Sequence, residues 1–269
     1  MRRAILPGLA LLAAMPAAAG RGRWTIAGPP KAASLVVADP VRRGIVYASL
    51  GLPGQVWRST DDGRSWTATG SPPADSIGLD PSDADVLYVG GLDVFRSSDR
   101  GGTWEEIVPD LTASDIRNIG VAPDDTNVLY VEAHTLAAEP GGQDAYRFAR
   151  VRRESGGSWD WSVPDPDFTT HVTGLVADAS SSGTIFASGV GGVYRSKDGG
   201  DSWTTLATGI PPDTWAEKPA IHSGAPSWLY VPIATTTLPA HGVAVSRDGG
   251  DTWTIETDGL PDGPLKCAA

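Results

Sequence analysis

The chain has 269 residues with 33 Gly, 22 Pro and 20% charged residues, a composition that suits a turn-rich globular fold and neither a helical bundle nor a disordered segment. Asp and Glu outnumber Lys and Arg by 32 to 21, giving a formal net charge of −11. A surface of that sign opposes contact with nucleic-acid phosphates, and the single cysteine, Cys267, excludes an intrachain disulfide and a multi-cysteine zinc site.

The chain opens with Arg2 and Arg3, an apolar run from Ala4 to Met15, and Pro16 before Ala17, Ala18 and Ala19. That order is expected of an export signal over 1–19, delivering the remaining chain to a periplasm or the cell exterior. No stretch approaches the ~20 apolar residues of a membrane-spanning helix, so no membrane insertion is expected. Next comes Trp24-Thr25-Ile26-Ala27-Gly28, which reads as a lone outer strand over 24–28 because Trp66-Thr67-Ala68-Thr69-Gly70 repeats its pattern.

Residues 20–269 then read as one repeat domain. Four octets share S-x-D-x-G-x-[ST]-W: Ser59, Asp61, Gly63 and Trp66; Ser97, Asp99, Gly101 and Trp104; Ser196, Asp198, Gly200 and Trp203; Ser246, Asp248, Gly250 and Trp253. A fifth, decayed copy places Glu154, Gly156, Ser158 and Trp159 in the box, with Arg152 where the serine belongs. Ahead of each box stands an aromatic, Tyr47, Tyr88, Tyr130, Phe186 and Tyr230, spaced 41, 42, 56 and 44 residues apart. That period fits four-stranded propeller blades. Each unit reads as four antiparallel strands with the box at the turn between the third and fourth, where Asp accepts backbone hydrogen bonds, Gly supplies a positive φ and Trp covers the turn. The expected fold is an all-β propeller with blades over about 31–70, 71–111, 112–165, 166–211 and 212–262. Residues 264–269 begin a further blade or a tail; with the lone strand at 24–28 they leave two readings, a chain truncated from six or more blades or a five-bladed ring with an extra peripheral strand and a short tail.

These octets resemble the Asp-box, or BNR, repeats of sialidases, sortilin-type secreted propellers, some xyloglucanases and photosystem assembly factors. The resemblance implies a propeller and a structural role for the box residues, on the face opposite the substrate. Arg58, Arg96 and Arg195 each precede a box serine and occupy equivalent places around the ring, which suits contacts between blades better than the convergent arginines of a sialidase. The aromatic followed by Arg-Ile-Pro of sialidases is missing.

The functional face is expected at the loops joining second to third strands and blade to blade. Two such loops read as enlarged, 132–147 and 233–242. They and the blade connections offer Glu132, Asp144, Asp165 and Asp213 as acids, and His134, Tyr146, Arg147, Trp215, Glu217 and His241 as binding-face residues. Two readings follow: a non-catalytic propeller binding a protein or glycan partner there, or a glycoside hydrolase, sialidase-like or xyloglucanase-like, using paired acids. A third, an assembly factor for a membrane complex, has no residue of its own. No cofactor or metal is expected, because His134, His171, His222 and His241 fall in different units without short spacing, and no G-x-S-x-G elbow or phosphate loop is present.

Overall fold

The computed structural model describes residues 33–51, 54–108, 115–136, 145–164, 171–222, 224–225, 227–236 and 241–260. The export signal, the lone strand at 24–28, the tail at 264–269, Asp144 and Asp165 lie outside them. The described residues form five antiparallel blades of a β-propeller and no helix. Blade 1 comprises β1 (Ala33–Ala38), β2 (Val46–Gly51), β3 (Gly54–Ser59) and β4 (Thr67–Ala68). Blade 2 comprises β5 (Ser76–Leu79), β6 (Leu87–Gly90), β7 (Val94–Ser97) and β8 (Glu105–Val108). In blade 3 the strands are β9 (Asp115–Val121), β10 (Val128–Thr135), β11 (Ala145–Arg153) and β12 (Trp159–Ser162), and in blade 4 they are β13 (Val172–Ala177), β14 (Ile185–Gly189), β15 (Gly192–Ser196) and β16 (Thr204–Thr205). Blade 5 splits its first strand into β17 (Trp215–Ala216) and β18 (Ala220–Ile221), both paired with β19 (Leu229–Ala234), followed by β20 (His241–Ser246) and β21 (Thr254–Glu256). The split falls at Pro219, which has no N–H for the ladder.

The first strands are innermost. Val37, Ile77, Ile119, Leu175 and Lys218 from the five blades share an apolar central cavity of about 320 Å³. Blades pack face to face through alternating side chains, which buries both faces of each sheet and explains strands such as β6 and β14 in which every residue is buried. Among the described residues, one apolar cluster fills each junction of consecutive blades. Tyr47, Ile77 and Leu87 meet between blades 1 and 2; Tyr88, Ile116 and Leu129 between 2 and 3; Phe148, Leu175 and Ile185 between 3 and 4; Phe186, Leu229 and Trp253 between 4 and 5.

The four complete boxes adopt one geometry at the turns between third and fourth strands. In blade 4, Gly200 N–H donates to Ser196 Oγ (2.8 Å), Ser196 Oγ donates to Asp198 Oδ1 (2.7 Å), and the Ser202 amide and hydroxyl donate to Asp198 Oδ1 and Oδ2 (2.9 and 2.6 Å). The same bonds recur about Asp61, Asp99 and Asp248. Such donors favour the ionised form. Led by the backbone and hydroxyl donors of Ser65, they hold Asp61 at about 2; the hydroxyl donors of Ser202 and Thr252 lead the same effect at Asp198 and Asp248, also about 2, and Asp99 is lowered in the same sense. The box of blade 4 requires its glycine twice over. Gly200 has φ +95°, and a Cβ there would meet Phe148 Cε1 of the preceding blade at 2.2 Å.

The decayed copy does not form this network. Arg152 offers no hydroxyl to link the glycine amide to the acid, so the turn closes through its backbone: Glu154 N–H donates to Ser158 O and Gly157 N–H to Glu154 O, both at 2.8 Å. The positive φ falls on Gly157 and not on Gly156. Trp159 instead opens β12 and packs edge-on against Tyr88 of blade 2, 6.1 Å between ring centroids.

Arginine stands opposite the aromatic of the second strand in blades 1 to 4: Tyr47 pairs with Arg58, Tyr88 with Arg96, Tyr130 with Arg150 and Phe186 with Arg195. Arg58 donates to Arg100 O (3.1 Å) in the box of blade 2, Arg150 to Gly199 O (3.4 Å) and Asp201 in that of blade 4, and Arg195 to Gly249 O and Asp251 (both 2.8 Å) in that of blade 5. Arg96 differs because blade 3 lacks a box to receive it; it turns to Glu105 of its own blade at 2.9 Å.

Candidate functional site on the loop face

The face opposite the boxes carries the ends of second strands and the starts of first strands. Among the described residues, four of the five exposed large apolar side chains lie on it: Leu92 (71% exposed), Leu136 (60%), Val190 (46%) and Trp215 (39%). Scattered exposed apolar residues are ordinary, whereas a concentration on one face marks a contact surface.

Beside Trp215 runs a row of rings. His134 and Tyr146 are direct cross-strand partners on β10 and β11, and their rings stack at 4.8 Å. Tyr146 stacks in turn on His171, from the connection into blade 4, at 4.4 Å, and His171 meets Trp215 edge-on at 5.3 Å. The row crosses blades 3, 4 and 5. At its inner end His134, 1% exposed, donates from Nδ1 to Asp115 Oδ1 at 2.8 Å. Asp115 is the other cross-strand neighbour of His134. A bulge between β9 and β10 leaves Arg117 as the extra residue and turns its Nε onto the Asp115 carboxylate at 3.2 and 3.3 Å. Burial, then Arg117 and His134, lowers His171 below the usual histidine range and favours the neutral ring. Asp75, in the connection into blade 2, is raised by burial first and by Asp115 second. Both residues border the end of β6, since Asp75 N–H donates to Gly90 O and Ile116 N–H to Gly91 O.

The long loops differ from expectation. The β10–β11 ladder continues to Thr135 opposite Ala145, so Glu132, His134, Tyr146 and Arg147 are strand residues. Likewise His241 opens β20 opposite Ala234. Glu132 is 1% exposed and accepts from Asn118 Nδ2 (2.7 Å) and the Val172 amide (3.0 Å). Burial outweighs these donors and raises its carboxyl to about 7. Asp213 is engaged by the amide (2.7 Å) and hydroxyl of Thr236, which ties the connection into blade 5 to the end of β19. Glu217 donates its N–H to Pro232 O (2.8 Å) and carries the first-strand ladder across the split in blade 5. Arg147 is exposed beside Tyr146. The structure thus gathers His134, Tyr146 and Trp215 and adds Asp115, Arg117 and His171. Among the described residues no group of three or more His, Cys, Asp or Glu is placed to hold a metal, although His134 and His171 flank one tyrosine despite their distance in sequence. The signal that could find His171 is positional: Asp75, Asp115, His171 and Trp215 all stand at the start of a first strand in successive blades.

No family model matches the chain. It is 27% identical over 211 residues to a xyloglucanase of a Paenibacillus species, covering 64% of this chain and 20% of that protein, and 28% identical over 197 residues to the xyloglucanase Xgh74A of Acetivibrio thermocellus, with 64% and 19% covered. The chain therefore spans about a fifth of the length of these curated relatives. Among solved structures, an ancestral GH74 enzyme superposes over 87% of this chain and 32% of its own with a TM-score of 0.65 and 23% identity, and the GH74 enzyme of Niastella koreensis over 83% and 36% with a TM-score of 0.65 and 19% identity. This chain is a β-propeller similar in sequence to part of the xyloglucanases and in fold to part of the GH74 enzymes.

Proposed function

We propose that the loop face binds a neutral β-glucan of the xyloglucan type, making the chain a polysaccharide-recognition propeller of a glycoside-hydrolase-related protein. The observation that carries this reading is the exposed Trp215 beside the Tyr146–His171 stack, because a sugar ring offers an apolar face to such a shelf and hydroxyls to the Asp115–Arg117 pair at its end. The net charge of −11 favours an uncharged glycan over an acidic one. The similarity to xyloglucanases supports the sugar class. Calorimetric titration with xyloglucan oligosaccharides tests it. Trp215→Ala is expected to weaken binding by about tenfold or more with the melting temperature unchanged, and an unaltered affinity removes the shelf.

A second reading, hydrolysis, draws on a different pair of acids from Glu132 and Asp213, whose oxygens are committed to blade and loop contacts. Asp75 and Asp115 border one strand end, and burial first and the Asp115 charge second raise Asp75, as a proton-donating carboxyl requires. Release of reducing ends from xyloglucan, abolished in Asp75→Asn and Asp115→Asn, would support it; release that survives in both would exclude these acids.

A further inference from the structure

The other blade junctions show how little chemistry it takes to fasten one blade to the next. Ser49 Oγ donates to Ala74 O (2.8 Å) between blades 1 and 2, Ser76 Oγ to Ile116 O (2.9 Å) between 2 and 3, and Ser188 Oγ to Glu217 O (2.6 Å) between 4 and 5. A neutral hydroxyl suffices at each. Between blades 3 and 4 the same task falls to Glu132, a carboxylate whose burial carries a desolvation cost that a hydroxyl avoids. The charge is not needed for closure.

Its partners show what else it controls. Glu132 Oε1 accepts from Val172 N, Oε2 accepts from Asn118 Nδ2, and that same Nδ2 reaches Val172 O at 3.2 Å. Blade 3 therefore holds both polar backbone groups of Val172. One residue earlier stands His171, the ring between Tyr146 and Trp215. We propose that Glu132 is the positioning residue of the loop-face shelf, holding the His171 ring against Tyr146 and Trp215 when ionised and releasing it when protonated. Protonation turns one of the two oxygens into a neutral O–H group, a much poorer acceptor, and so weakens its hold on Val172 N–H or Asn118 Nδ2. The groups around it are Arg117 and Asn118 on β9, His134 on β10, Phe148 opposite on β11, and His171 with the Val172 amide from blade 4. With burial raising the carboxyl to about 7, the change falls near neutral pH.

The effect on ligand rests on the sugar-binding reading, whereas the movement of the shelf does not, and the test separates them. Trp215 fluorescence, taken as the difference between the native protein and Trp215→Phe, is followed from pH 5 to 9 without ligand. A transition near pH 7 is expected, absent in Glu132→Gln. In Asn118→Ala, which keeps the carboxyl but removes a donor that favours its ionised form, the midpoint is expected to move upward. A native protein without a transition, or a transition that persists unchanged in Glu132→Gln and so belongs to His171, overturns the proposal; an unmoved midpoint in Asn118→Ala does the same. In parallel, xyloglucan affinity is expected to be at least about fivefold higher at pH 8 than at pH 6, and independent of pH in Glu132→Gln. Failure of the native protein to bind xyloglucan at any pH overturns the sugar reading and leaves the fluorescence result to decide the clamp.

Discussion

The two faces of the propeller use the same side chains in opposite ways. On the box face, aspartates sit in solvent among converging amide and hydroxyl donors, and Asp61, Asp198 and Asp248 are held at about 2. On the loop face, burial dominates: Glu132 rises to about 7 and Asp75 moves upward as well. The box is local, repeated and satisfied within eight residues, while the shelf is assembled once from three blades. A carboxylate whose donors come from its own turn is a construction element; one whose donors come from a neighbouring blade can report on how the blades meet.

The contrast can be broken first at glycine. Gly200→Ala places a Cβ into Phe148 at a positive φ and is expected to cost about 3 kcal/mol, whereas Gly156→Ala, with no atom within 4 Å of its Cβ, should stay within about 0.5 kcal/mol; urea denaturation compares them. The pH dependence of stability sharpens the comparison next. The lowered box aspartates contribute stability that is present above pH 4 and is lost as pH falls toward 2. Glu132, raised from 4.5 to about 7, contributes in the opposite sense: its share is full below pH 4.5 and is lost as pH rises through 7, on the order of 3 kcal/mol. Melting temperatures from pH 2 to 8 should therefore rise and then decline, with Asp198→Asn flattening the acid limb and Glu132→Gln the neutral one. The smallest effect separates two arginines. Arg195→Met loses hydrogen bonds to a neighbouring blade and should cost about 1–2 kcal/mol; Arg96→Met loses a partner within its own blade and should cost about half of that. Equal losses would mean that the blade-to-blade bond adds nothing.

The propeller was legible because its evidence is local. The hydroxyl, acid and glycine of each box act within one turn, and the aromatic period counts blades without reference to their contacts. The site depends on register. Glu132 and His134 are ionisable residues of the kind expected in an exposed loop, yet Asn118 and Asp115 opposite them satisfy both inside a buried strand. Arg117 reaches Asp115 only because of a one-residue bulge, and His171 meets Tyr146 only because blades 3 and 4 close on each other. Trp215 was visible as an aromatic in a connection; the rings that turn it into a shelf were not.

The inter-blade arginines all point in one direction along the chain, from Arg58 to the box of blade 2, from Arg150 to that of blade 4 and from Arg195 to that of blade 5. During synthesis each of them emerges before the turn that receives it. A nascent blade thus exposes a guanidinium until its successor has left the ribosome and folded, and assembly gains a built-in order in which every module is completed by the one made after it.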